Sequence, residues 1–88
     1  MLDWLTQHGA VDLLILLLKE GKELMVSEAF RKVGRSPEAF YRSIEVLTEK
    51  GLIVRRVEKG IPRRVFLALT DKGRKAAELL LKLDELVG

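Results

Sequence analysis

Residues 51–69 read Gly-Leu-Ile-Val-Arg-Arg-Val-Glu-Lys-Gly-Ile-Pro-Arg-Arg-Val-Phe-Leu-Ala-Leu, two short apolar-rich stretches separated by a basic turn. The pattern predicts a β-hairpin. Period-two alternation puts Ile53, Val57, Val65, Leu67 and Leu69 on one face and Arg56, Glu58 and Arg64 on the other. Pro62 has no backbone N–H to donate, so it belongs at the tip or an edge of such a unit. Between Arg55 and Arg64 five of ten side chains are cationic and only Glu58 opposes them. The tip therefore carries a concentrated positive field, for which a polyanion is the natural partner.

Helical signals surround the hairpin. Ser36 as N-cap, Pro37 at the first helical position, Glu38 in the first turn and Gly51 at the stop punctuate a helix. Its buried stripe is Phe40, Ile44 and Leu47, at i, i+4 and i+7. Upstream, Leu24-Met25-Val26 is a brief extended stretch, and Ser27 caps a short helix that ends at Gly34 and turns Ala29, Phe30 and Val33 inward. Between Ala10 and Leu18 only Asp12 is polar, so that helix needs cover on more than one side. Leu2, Trp4 and Leu5 suit a short helix before it, with Asp3 near its start and Gly9 as its stop. Thr70 caps a last helix that opens with Asp71-Lys72-Gly73.

That last helix carries Ala76, Leu80, Leu83 and Val87 at heptad-like spacing, with a second stripe at Leu79 and Leu86. One domain contact does not need so much apolar surface. At 88 residues a single core is thin, and association often supplies the missing burial. A homodimer is expected, built from helices at about residues 2–19 and 71–87. Its interface candidates are Leu2, Trp4, Leu5, Leu14, Leu17, Leu79, Leu80, Leu83, Leu86 and Val87.

Composition removes several classes of chemistry. Cysteine is absent, which excludes disulfides, thiolate nucleophiles and cysteine metal sites. His8, the sole histidine, has no second histidine to complete a metal site, and no glycine loop cradles phosphate. No catalytic residue, metal or cofactor is expected, and no polar cluster suggests a small-molecule effector. The run Leu13 to Leu18 is too short to span a bilayer and lacks the flanks of a signal peptide, so a cytoplasmic protein without a membrane partner is expected. The chain has no asparagine, a single glutamine and 33% charged residues, a balance that leans toward heat-adapted proteins.

In order, the elements are helix, short strand, helix, turn, helix, strand, basic turn, strand, helix. Val26-Ser27-Glu28-Ala29, Val33-Gly34-Arg35-Ser36-Pro37, the stretch from Ile44 to Ile53, and Leu69-Thr70-Asp71-Lys72-Gly73 give this order a resemblance to the winged helix-turn-helix family. The chain looks like the small dimeric bacterial and archaeal transcriptional regulators of the MarR, ArsR and PadR kind. The resemblance implies a mainly α fold with a small β-hairpin (α+β), one domain over residues 1–88 with a core at 10–73, and N- and C-terminal dimerisation helices.

It also implies double-stranded DNA as partner. Residues 36–50 would be the recognition helix, presenting Ser36, Pro37, Glu38, Ala39, Tyr41, Arg42 and Glu45 to the major groove. Arg42 is the main base-reading candidate, since guanidinium bonds guanine O6 and N7 bidentately. Tyr41 would touch phosphate or a thymine methyl, and Ser36 a phosphate. Glu38 and Glu45 depart from a basic reading surface. In the wing, residues 53–69, Arg55, Arg56, Lys59, Arg63 and Arg64 would bind phosphates, with Lys59 or Arg63 entering the minor groove. The alternative is a winged-helix module that binds protein, or a subunit of a nucleic-acid-processing complex.

Overall fold

The most apolar helix stands at the centre of the molecule. The computed structural model describes residues 2–6 and 9–88. After a single 3₁₀ turn, Asp3–Thr6, helix α1 (Ala10–Glu20) packs against α2 (Val26–Val33), α3 (Pro37–Glu49), α4 (Asp71–Val87) and the sheet. Ala10, Leu13, Leu14 and Leu17 are buried, while Val11, Ile15, Leu16 and Leu18 are half-buried flanks. The cover that its apolar run demands thus comes largely from its own chain. Leu14 and Leu17, expected at a dimer interface, lie in the core with no surface to offer a partner.

Strand β1 is only Leu24–Met25. Val26, expected in the strand, opens α2 instead, with Met25 as an extended N-cap. Ser27 consequently lies within the first turn and makes no capping bond, contrary to the expectation that it would cap. The sheet register decides this: β1 pairs with β3 (Arg64–Leu69) only through Leu24↔Leu67 and Met25↔Phe66, after which the chain turns to bury Ala29.

Helix α3 is fixed at both ends. The Ala39 N–H donates to Ser36 Oγ at 3.3 Å. At the other end Leu52 N–H reaches Leu47 O at 2.9 Å and Gly51 N–H reaches Thr48 O at 3.0 Å, the paired reverse bonds that close a helix when the residue after the cap is left-handed. Gly51, at φ 73, supplies that conformation. Phe40, Ile44 and Leu47 are buried as the periodicity implies, joined by Ser43, whose hydroxyl donates to Phe40 O at 2.6 Å. Fully burying such apolar side chains contributes about 1.5–3 kcal/mol each.

The antiparallel sheet has the order β1-β3-β2, so β2 (Ile53–Glu58) is an edge strand. The registers Ile53↔Leu69, Arg55↔Leu67 and Val57↔Val65 put Arg55 on the inner face. Val57 shares that face yet is exposed, because the hairpin has by then passed beyond the core.

Thr70 then joins three elements. Its Oγ1 accepts from Gly73 N–H at 2.9 Å, capping α4, and donates to Gly51 O at 2.7 Å; its own N–H donates to Leu52 O at 3.1 Å. Lys72 Nζ donates to Lys50 O at 3.0 Å. At Gly73 the approach is closest: a Cβ there would lie 1.8 Å from Leu52 O, so only glycine lets α4 start against the end of α3. From this staple α4 buries Ala77 and half-buries Ala76 and Leu80, then runs past the core. Seventeen residues give it a length of about 25 Å, in a molecule 45 Å along its longest axis.

Candidate nucleic-acid interface

Two clefts lie between α3 and the hairpin. One, of about 330 Å³, is lined by Ser27, Phe30, Tyr41, Arg63, Arg64 and Val65 among others. Tyr41 is oriented there by its ring contact with Phe40 at 5.4 Å, and Phe40 in turn sits edge-on to Phe30 at 5.3 Å. Ser27 was missed as a surface residue, since a serine before a helix reads as a cap. The other cleft brings Arg55 beside Arg42, Glu45, Thr48 and Glu49.

On α3, Pro37, Glu38, Tyr41, Arg42 and Glu45 are exposed, while Ala39 is half-buried and offers less surface than expected. Ser36 is exposed but its oxygen is engaged as the helix cap, leaving its hydroxyl proton available. Arg42 Nη1 lies 3.5 Å from Glu45 Oε2, an exposed pair of the i, i+3 kind. The carboxylate partly neutralises the arginine in the free protein.

The wing cations divide. Arg56, on the outer sheet face, places its guanidinium 4.4 Å over the Phe66 ring and bonds Glu23 twice, Nε to Oε2 at 3.0 Å and Nη2 to Oε1 at 2.5 Å. Glu58 approaches the same guanidinium at 3.5 Å. This hydrogen bonding holds the Glu23 carboxyl below the usual carboxylate range and raises Arg56 above its ordinary value. Arg56 therefore braces β2 against the chain ahead of β1. It faces away from α3, a placement its neighbour Arg55 does not share.

Among the described residues, Arg55, Lys59, Arg63 and Arg64 form no ion pair, whereas Lys32 is answered by Glu20 at 3.0 Å and Arg35 by Asp12 at 2.9 Å. Four of the wing's five cations are thus left without an ion pair among the described residues. At its tip Ile61 stands fully in solvent, with a relative exposure of 104%.

Of the interface candidates, Leu2, Leu79, Leu83, Leu86 and Val87 are exposed, and Trp4, Leu5 and Leu80 are half-buried. Leu79, Leu83 and Leu86 follow i, i+4, i+7 and form one bare stripe on α4. Beside it a groove of about 580 Å³ runs between α1, α2 and α4, floored by Ile15, Leu16, Val33, Leu80 and Leu81. His8 lies outside the described residues. Among those described, no cluster of histidine, aspartate and glutamate is arranged to hold a metal, and no helix is long and apolar enough to cross a membrane.

No family model matches the chain, and no curated protein matches it. Solved structures do. A transcriptional regulator homologue from Pyrococcus horikoshii superposes with a TM-score of 0.77 at 22% identity, over 89% of this chain and 77% of that one. The transcriptional repressor BigR from Xylella fastidiosa gives 0.74 at 22% identity, over 93% and 77%. A protein described as a MarR-family transcriptional regulator, from Porphyromonas gingivalis, gives 0.69 at 23% identity, over 80% and 72%. The four helices and three-stranded antiparallel sheet have the winged-helix architecture of these structures.

Proposed function

We propose that the protein is a homodimeric, cytoplasmic regulator of transcription that binds double-stranded DNA. Helix α3 enters the major groove, and the β2–β3 wing follows the backbone toward the neighbouring minor groove. One observation carries this reading: Arg63 and Arg64, without acidic partners among the described residues, share a cleft with Tyr41 on α3, so helix and wing address a single ligand surface. The likeness to solved transcriptional regulators supports it.

Arg55, Lys59, Arg63 and Arg64 hold phosphates, with Ser27 and Tyr41 adding neutral donors beside them. Arg42 reads a base edge, and Arg56 keeps β2 in position. In the dimer the stripe Leu79, Leu83, Leu86 and Val87 is covered by a second copy, together with the exposed Leu2 and the half-buried Trp4, Leu5 and Leu80. Two-fold symmetry then sets half-sites about 34 Å apart on one face of the duplex.

A gel-shift series on generic duplexes at rising salt tests the DNA arm, and sedimentation of Leu83→Glu with Leu86→Glu tests the dimer. Steep loss of binding with salt, and a monomeric double variant, are expected. Binding indifferent to salt would reject the first arm, and an unaltered dimer the second. The second reading, a protein-binding winged helix, draws on Glu38, Glu45 and Glu49 along α3. A stable hetero-complex without DNA affinity would select it.

A further inference from the structure

Ile61 is the most exposed large apolar residue among those described, and it sits between Lys59 and Arg63 at the tip of the basic hairpin. The strands pair as far as Glu58↔Arg64, leaving Lys59, Gly60, Ile61, Pro62 and Arg63 as the tip. Lys59 and Arg63 flank it without ion pairs among the described residues. A lone aliphatic side chain ringed by cations is a poor docking surface for protein, since the apolar area is small and the charges would have to be desolvated. Between two phosphate strands the same arrangement is complementary.

We propose that Ile61 is a minor-groove wedge, pressed between adjacent base pairs while Lys59 and Arg63 hold the phosphates on either side. The inference rests on the DNA-binding reading above. The duplex minor groove is about 6 Å wide, which admits a hairpin tip side chain but not a helix. An aliphatic group inserted there unstacks a base step and kinks the duplex away from the protein. The pyrrolidine ring of Pro62 limits the backbone freedom of the tip, so less entropy is lost when Ile61 enters. Because pyrimidine–purine steps unstack most readily, the wing selects a TA or CA step in sequence that α3 never touches.

The test compares the wild-type chain, Ile61→Ala and Ile61→Leu on two duplexes, one carrying 2-aminopurine within a TA step and one an unbroken A-tract. Since the side chain touches no core, circular dichroism should be identical for all three. For the wild type and Ile61→Leu, binding raises 2-aminopurine fluorescence and favours the TA duplex by about tenfold, whereas Ile61→Ala loses both while keeping its salt dependence. An A-tract preference in the wild type would indicate a cation reading a narrow groove and would overturn the wedge. Equal fluorescence and affinity for wild type and Ile61→Ala would overturn it too, leaving DNA binding intact. If the wild type binds neither duplex at any salt, the DNA reading itself falls.

Discussion

Helix α3 and the wing address the same clefts with opposite means. The helix is held by a serine cap, a left-handed glycine stop, four buried side chains and edge-to-face aromatic contacts, so its outer face is rigidly placed. That face offers Arg42 against Glu38, Glu45 and Glu49. The wing is nearly the reverse. Of β2 only Ile53 is buried, yet the hairpin carries five cations against one carboxylate. A rigid, poorly charged element suits discrimination, and a lightly packed, strongly charged one suits affinity. In the proposed complex the wing therefore supplies most of the binding and α3 the direct reading of base edges, with Ile61 adding only a preference for an easily unstacked step.

Breaking the scaffold beneath both regions should have the largest effect. Gly73→Ala forces a methyl onto Leu52 O, and since backbone on both sides must yield, a loss of about 3 kcal/mol or more is expected. Thermal unfolding would measure it, and DNA binding by helix and wing should fail together. Survival of one without the other would mean that the two regions are not held by this staple.

Next comes the wing alone. Lys59→Ala, Arg63→Ala and Arg64→Ala together should lower the slope of log affinity against log salt by about 0.9 per phosphate contact removed, costing alike all duplexes that share the same base step under the wing. Fluorescence anisotropy across salt would show it. A loss that varied among duplexes sharing that step would transfer base reading to the wing cations and collapse the distinction drawn above.

Arg42→Ala tests the other side. It should cost about 1–3 kcal/mol on a selected site and little on generic DNA, flattening an enrichment profile. If generic binding falls equally, Arg42 is a phosphate ligand and α3 does not discriminate through it.

The smallest effect is expected from Glu23→Gln, which touches no proposed ligand but removes the brace on Arg56. Wing affinity should fall slightly, and stability should lose part of its acid dependence. The sign follows from the carboxyl: its pKa is depressed in the folded state, so the pair stabilises above the ordinary carboxylate range and fades as pH falls through the lowered value. Melting curves below about pH 5 should separate the variant from wild type by less than at neutral pH.

Much of the architecture was legible because it is written in local chemistry. Ser36-Pro37, Gly51, Thr70 and the alternation through residues 53–69 each encode an element boundary that requires few distant partners. Ser27 misled for the same reason: a serine before a helix reads as a cap, but the two-residue pairing of β1 with β3 moved the boundary past it. The division between Arg55 and Arg56 was similarly hidden. Adjacent residues on a strand must face opposite ways, but which face meets α3, and that Glu23 waits on the other, depends on chain 33 residues distant.

Residues 51–69 alone determined a hairpin with a cationic tip, because alternation and turn chemistry act over a few residues. The tertiary structure decided which of those cations remain free, since charge is neutralised by whatever the fold brings within reach. It also decided that Leu14 and Leu17 belong to the protomer's core while Leu79, Leu83 and Leu86 lie bare. An apolar pattern states that a face must be covered, and only packing in three dimensions settles what covers it.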